Sequence, residues 1–122
     1  MDKIILKGLR LFAYHGVYEE EKRTGQNFAL DLMLEADLSA ACESDRLDDT
    51  VSYADVIETV KSEFCGTSFD LIERAAQSVA DAVLTGYDKV RRVTVRVMKP
   101  EAPLNAELDY AAVEIVRERA ER

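Results

Sequence analysis

Between Phe28 and Leu38 every even position is apolar (Phe28, Leu30, Leu32, Leu34, Ala36, Leu38), while Asp31, Glu35 and Asp37 fall on odd ones. A period of two is that of a strand with one face buried and one in water; wound into a helix, the same residues would scatter around the axis. This predicts a strand that needs a covering layer. Ile4 to Phe12, rich in Ile and Leu with Lys7 and Arg10 interposed, reads as a second strand. Val93, Val95 and Val97 alternate with Thr94 and Arg96 in a third that stops before Pro100, since proline lacks the N–H a ladder needs. Val113 and Ile115 flank Glu114 in a fourth.

The covering layer is predicted between the second and third strands. After a polar connection from Glu43 to Thr50, Ser52 with Asp55 three residues on resembles a capping box, and Val56, Ile57, Val60 and Phe64 follow at helical spacing before Gly66. Thr67 with Asp70 repeats the start signal, and Ile72, Ala75, Ala76, Val79 and Val83 form a second apolar stripe ending at Gly86. The order is ββααββ, with no repeat, linker or low-complexity tract. Two helices on one face of a four-stranded, largely antiparallel sheet bury both stripes in an α+β, two-layer unit. Such a sheet leaves two open edges, which are blunted or paired with another chain.

The 122 residues are expected to form a single domain, 1–122. A net charge of −8 argues against a nucleic-acid or anionic-membrane surface, because phosphate neutralisation needs clustered Lys and Arg. Cys42 and Cys65 lack the paired spacing of a zinc site and read as reduced, partly buried thiols. No apolar run approaches the ~20 residues of a membrane span and no basic, apolar leader opens the chain, so the cytoplasm is the expected compartment.

No general catalytic motif is present: no phosphate-cradling glycine loop, no paired histidines, no nucleophile elbow. The stretch YHGVYEEEKRTGQ, Tyr14 to Gln26, holds the only histidine. His15 beside Gly16 reads first as a residue that hydrogen-bonds loop backbone, and one His cannot build a metal site. Of Glu19, Glu20 and Glu21, at most one should matter, the others being a solvated acidic turn that favours a short helical start. Glu73 follows Leu71 and Ile72 in the first helical turn, where backbone N–H groups lack partners. A carboxylate there suits a flat ligand with a guanidine-like edge; a helix-dipole charge is the plainer alternative. Lys99 ends a strand before Pro100, as a surface charge or as a group reaching into a cleft.

Taken together, YHGVYEEEKRTGQNF, LDDTVSYADV, FDLIERAA and KPEAPL resemble, in order and spacing, the dihydroneopterin aldolase family of folate biosynthesis, over essentially the whole chain. YAAVEI, with Ala111 and Ala112, stands where the family often carries glycines. The resemblance implies the tunnelling fold, with subunits closing into a barrel as a homo-oligomer, a tetramer or an octamer, and with sites between subunits. It implies cleavage of 7,8-dihydroneopterin into 6-hydroxymethyl-7,8-dihydropterin and glycolaldehyde, without a metal, Schiff base or other cofactor. It assigns Glu21, Tyr53 and Lys99 to catalysis and Glu21, Tyr53, Ile72, Glu73 and Lys99 to substrate binding. Lys99 is then the proton shuttle, Glu21 orients it, Tyr53 stands beside the reacting carbon, and Glu73 takes the pterin's amino and ring N–H edge. Epimerisation at a side-chain carbon of dihydroneopterin or its triphosphate, alongside cleavage or in its place, is one alternative; a non-catalytic pterin-binding ring is another.

Overall fold

The computed structural model describes residues 1–120. Its long elements follow the predicted ββααββ order. Strands β1 (Asp2–Ala13), β2 (Gln26–Ala36), β3 (Arg92–Lys99) and β4 (Ala111–Glu118) form one antiparallel sheet in the order β1-β2-β3-β4. Helices α3 (Tyr53–Cys65) and α4 (Ile72–Gly86) pack against each other on one face, α3 over β1 and α4 over β3 and β4. Two short helices, α1 (Glu19–Thr24) and α2 (Ser39–Ser44), and a 3-10 turn at Leu47–Asp49 lie in the connections.

The even positions of β2 from Phe28 to Ala36 are buried beneath the helices with Val93, Val95 and Val97 of β3 and Val56, Val60, Val79 and Val83 of the helices. The strand ends two residues earlier than its alternation suggests, because Leu38 precedes the first turn of α2. In β1 the pairing register shifts between Leu6 and Leu9, where Gly8 takes φ 69°, a left-handed value that glycine adopts without cost. The bulge changes parity. Ile4 and Leu6 before it, and Leu9, Leu11 and Ala13 after it, therefore all pack on the same core. Asp31 fixes the bulge by accepting the Gly8 N–H at 2.7 Å.

The opposite face is charged, with Arg96 bridging Glu114 at 2.8 Å and Asp31 at 3.9 Å, and Arg92 bridging Glu118 at 3.0 Å and Glu35 at 3.8 Å. Ala111 and Ala112 sit in regular pairing opposite Lys99 and Met98. Outer edges remain on β1 and β4.

Three expectations need correction. The Thr67–Asp70 start signal does not open a helix; α4 starts at Ile72 after Leu71. The intervening chain stays extended because Phe69 spends both its backbone groups on the Tyr14–Glu21 loop, its N–H on the His15 ring and its carbonyl on the Gly16 N–H. The connection from Glu43 to Thr50 is not simply polar loop, since α2 and the 3-10 turn occupy much of it. Cys42 and Cys65 are free and exposed, not partly buried, because each stands on the solvent side of its helix.

Candidate active site

Glu21 is the one member of the glutamate triplet that is buried; Glu19 and Glu20 are exposed, and Glu20 pairs with Arg23 at 2.8 Å. Its placement is local in origin. As the third residue of α1 it reaches back to accept the Tyr18 N–H at 3.2 Å, the carboxylate half of a capping box. Its other oxygen accepts from the Gln26 amide at 2.9 Å and from the Lys99 ammonium at 2.6 Å. Gly16 makes this possible, since a Cβ at that position would lie on the Glu21 carboxyl group.

Lys99 is the last residue of β3 and continues the core face of Val93, Val95 and Val97. Its side chain is 13% exposed and that of Glu21 is 7%. Burial pushes the Glu21 carboxyl up, but hydrogen bonds from Lys99, Gln26 and the Tyr18 backbone outweigh it and hold the group below its ordinary value. Gln26 anchors this arrangement at the start of β2, with its Nε2 committed to Glu21. Sequence reasoning missed it; a glutamine opening a strand carries no local signal that its amide will face a carboxylate.

Ile72 and Glu73 open α4 at the same end of the sheet, joined to the Glu21 loop through the Phe69 contacts. Leu71 supplies no capping side chain and its carbonyl takes the Arg74 N–H at 3.1 Å, which leaves the Ile72 and Glu73 N–H groups beside the exposed Glu73 carboxylate. Tyr53 is not brought to this cluster. It is the first residue of α3, 59% exposed, and lines a cleft with Ile4 and Val51. Ile4 pairs with Leu34, whereas Lys99 follows Met98, which pairs with Ala29. Five residues of strand, about 17 Å, separate those rows. Among the described residues no three His, Cys, Asp or Glu side chains come together as metal ligands.

Residues 4–116 match the family model for dihydroneopterin aldolase. The dihydroneopterin aldolase of Methylorubrum extorquens is 42% identical over 120 residues, covering 98% of this chain and 92% of that protein. The Bacillus subtilis dihydroneopterin aldolase is 37% identical over 120 residues, covering 98% of this chain and all of its own. An Escherichia coli dihydroneopterin aldolase solved in complex with neopterin superposes with a TM-score of 0.88 at 33% identity, covering 96% of this chain and 99% of that one. The chain belongs to the dihydroneopterin aldolase family. Its activity is thus that of an aldehyde-lyase acting on dihydroneopterin, and its α+β sheet with two covering helices is the family's fold. No helix among the described residues is long and apolar enough to cross a membrane.

Proposed function

We propose that the chain cleaves 7,8-dihydroneopterin by retro-aldol chemistry, with Lys99 as the proton shuttle. The observation that carries this role is the largely buried Lys99–Glu21 pair at 2.6 Å, at the end of the core and at the same end of the sheet as the helix start that holds Glu73. In the reaction the side-chain hydroxyl two carbons from the ring loses its proton and becomes the aldehyde of glycolaldehyde. The carbon–carbon bond breaks, and its electron pair moves into the adjacent ring imine, giving an enamine with a protonated ring nitrogen. Protonation of the side-chain carbon and loss of the ring-nitrogen proton complete the product. The substrate serves as its own electron sink, so the protein has only protons to move.

Lys99 carries those protons through an ordered water, and Glu21 holds the ammonium in place. Gln26 and the Tyr18 N–H hold Glu21 in turn. Glu73 accepts the amino and ring N–H edge of the pterin in two parallel bonds, next to the Ile72 backbone. Tyr53, at the far end of its own sheet, acts in a neighbouring subunit's pocket. A closed ring formed by pairing the β1 edge of one subunit with the β4 edge of the next buries both open edges and gives a tetramer or a stacked octamer. The two free thiols suit a reducing, cytoplasmic setting. Incubation of the purified protein with 7,8-dihydroneopterin tests the reading: release of glycolaldehyde in step with hydroxymethyl-dihydropterin supports it. Conversion to the epimer with no glycolaldehyde would transfer the chain to the epimerase alternative.

A further inference from the structure

His15 is fully buried and both its ring nitrogens are occupied. The Phe69 N–H donates to Nδ1 at 3.0 Å, which makes Nδ1 the acceptor and leaves the proton on Nε2, which donates to the Phe64 carbonyl at 2.8 Å. The ring is neutral and caged by Phe28, Phe64 and Phe69, with centroids at 5.5, 4.5 and 5.6 Å. These contacts do not belong to its own loop. They reach Phe28 of β2, Phe64 in the last turn of α3, and Phe69 in the segment that joins α3 to α4 and leads directly into Ile72 and Glu73.

The rest of the seam is built alike. The Gly16 N–H donates to the Phe69 carbonyl at 2.9 Å, the Ser68 hydroxyl to the Tyr14 carbonyl at 2.5 Å, and Lys22 to Asp70 at 2.5 Å. Arg74, next to Glu73, lies over the Phe69 ring at 5.3 Å. On the other side of the seam, Gly16 packs on the Glu21 carboxyl group that holds Lys99. An unbroken series of contacts therefore runs from Lys99 through Glu21, Gly16, His15 and Phe69 to the first turn of α4. A neutral imidazole, rigid and flat, is suited to give one N–H and accept another from opposite sides of its ring inside an aromatic cage.

We infer that His15 is a positioning residue that sets the separation between the Lys99–Glu21 pair and Glu73, and so the span over which the substrate is held. This rests on the pterin-binding role of Glu73 proposed above. Displacement of a binding group by a fraction of an ångström to 1 Å is enough to weaken a two-point grip severely.

The test is a double-mutant cycle on neopterin affinity, measured by calorimetry on the assembled protein: wild type, His15→Phe, Glu73→Gln and the double variant. His15→Phe fills the cage without either hydrogen bond, and it should weaken neopterin binding by about 10–100-fold. In the Glu73→Gln background the same change should cost less than about twofold, because the carboxylate it misplaces is already gone. His15→Asn, which retains an acceptor for the Phe69 N–H, should recover part of the affinity; it also replaces His15→Phe in the cycle should that variant not fold. Equal losses in both backgrounds would reduce His15 to a general structural residue, and unchanged affinity in His15→Phe would overturn the inference outright. A wild-type protein that binds neopterin and releases glycolaldehyde while the cycle is additive refutes His15 alone. One that does neither refutes the functional reading together with it.

Discussion

The Lys99 ammonium and the buried Glu21 carboxylate meet at 2.6 Å, with the Lys99 side chain only 13% exposed, although they come from a strand end and a six-residue helix far apart in the chain. Removing either leaves the other as a buried, unpaired charge. Lys99→Ala should lower kcat by about 10²–10⁴-fold with a smaller effect on substrate dissociation, as expected for a group that moves protons. Steady-state and single-turnover kinetics separate the two; a change confined to KM would make Lys99 a substrate-holding residue only.

Glu73 should show the reverse pattern. Glu73→Gln turns an acceptor of two N–H bonds into an amide with one donor misdirected at the ligand. The expected loss of pterin affinity is about 1.5–3 kcal/mol, the size of a hydrogen bond to a charged group. Calorimetry with an unchanged dissociation constant would return Glu73 to a helix-start charge.

Gly16→Ala probes the same site from behind. The added methyl would collide with the Glu21 carboxyl group, so that carboxylate must swing away from Lys99. A drop in kcat of at least about tenfold is expected from such a displacement. Gly86→Ala, where a Cβ meets open space, is the control and should leave kcat unchanged.

Stability should depend on pH through His15, the only histidine. Burial lowers its pKa in the folded chain; the Phe64 carbonyl raises it in part, and the charges of Lys22 and Lys99 lower it further. In the unfolded chain it binds a proton near its ordinary value of about 6.5. Between the folded and unfolded values the unfolded state holds more protons, so unfolding free energy rises with pH, and acidification through about pH 6.5 removes stability. The slope cannot exceed about 1.4 kcal/mol per pH unit for one group. The depressed Glu21 carboxyl adds its own loss only at lower pH, as the solution falls below the ordinary carboxylate value of 4.5. Urea titrations of wild type between pH 7 and 5 should show the slope, and His15→Phe should lack it.

The separation of Tyr53 from Lys99 makes subunit complementation the decisive test of architecture. Tyr53→Phe and Lys99→Ala should each be nearly inactive. Refolded together in equal amounts, they should form pockets with both native residues in roughly a quarter of sites if each pocket draws on two chains. A mixture no more active than its parts, despite mixed oligomers seen by native mass spectrometry, would leave Tyr53 acting within its own subunit.

The alternation from Phe28 to Leu38, the valines of β3 and the stripes of α3 and α4 were legible in the sequence because each depends on residues that are neighbours along the chain. Ser52 as a helix cap was legible for the same reason, its hydroxyl accepting the Asp55 N–H at 3.4 Å. The quoted motifs likewise carried the family. What no local pattern could supply was which partner each polar group would take. The parity change in β1 depended on Asp31 reaching the Gly8 N–H across the sheet. The start of α4 depended on Phe69 being held by His15 and Gly16 rather than on the Thr67–Asp70 signal. Burial of Glu21, but not of Glu19 or Glu20, depended on Gln26 and Lys99 lying at the ends of adjacent strands, and the distance from Tyr53 to that pair followed from strand register. Periodicity is set within a few residues, so the sequence alone determined the elements and their buried faces. A contact between distant residues exists only after the sheet has set its register and the loops have closed over it, so only the tertiary structure decided which side chains meet.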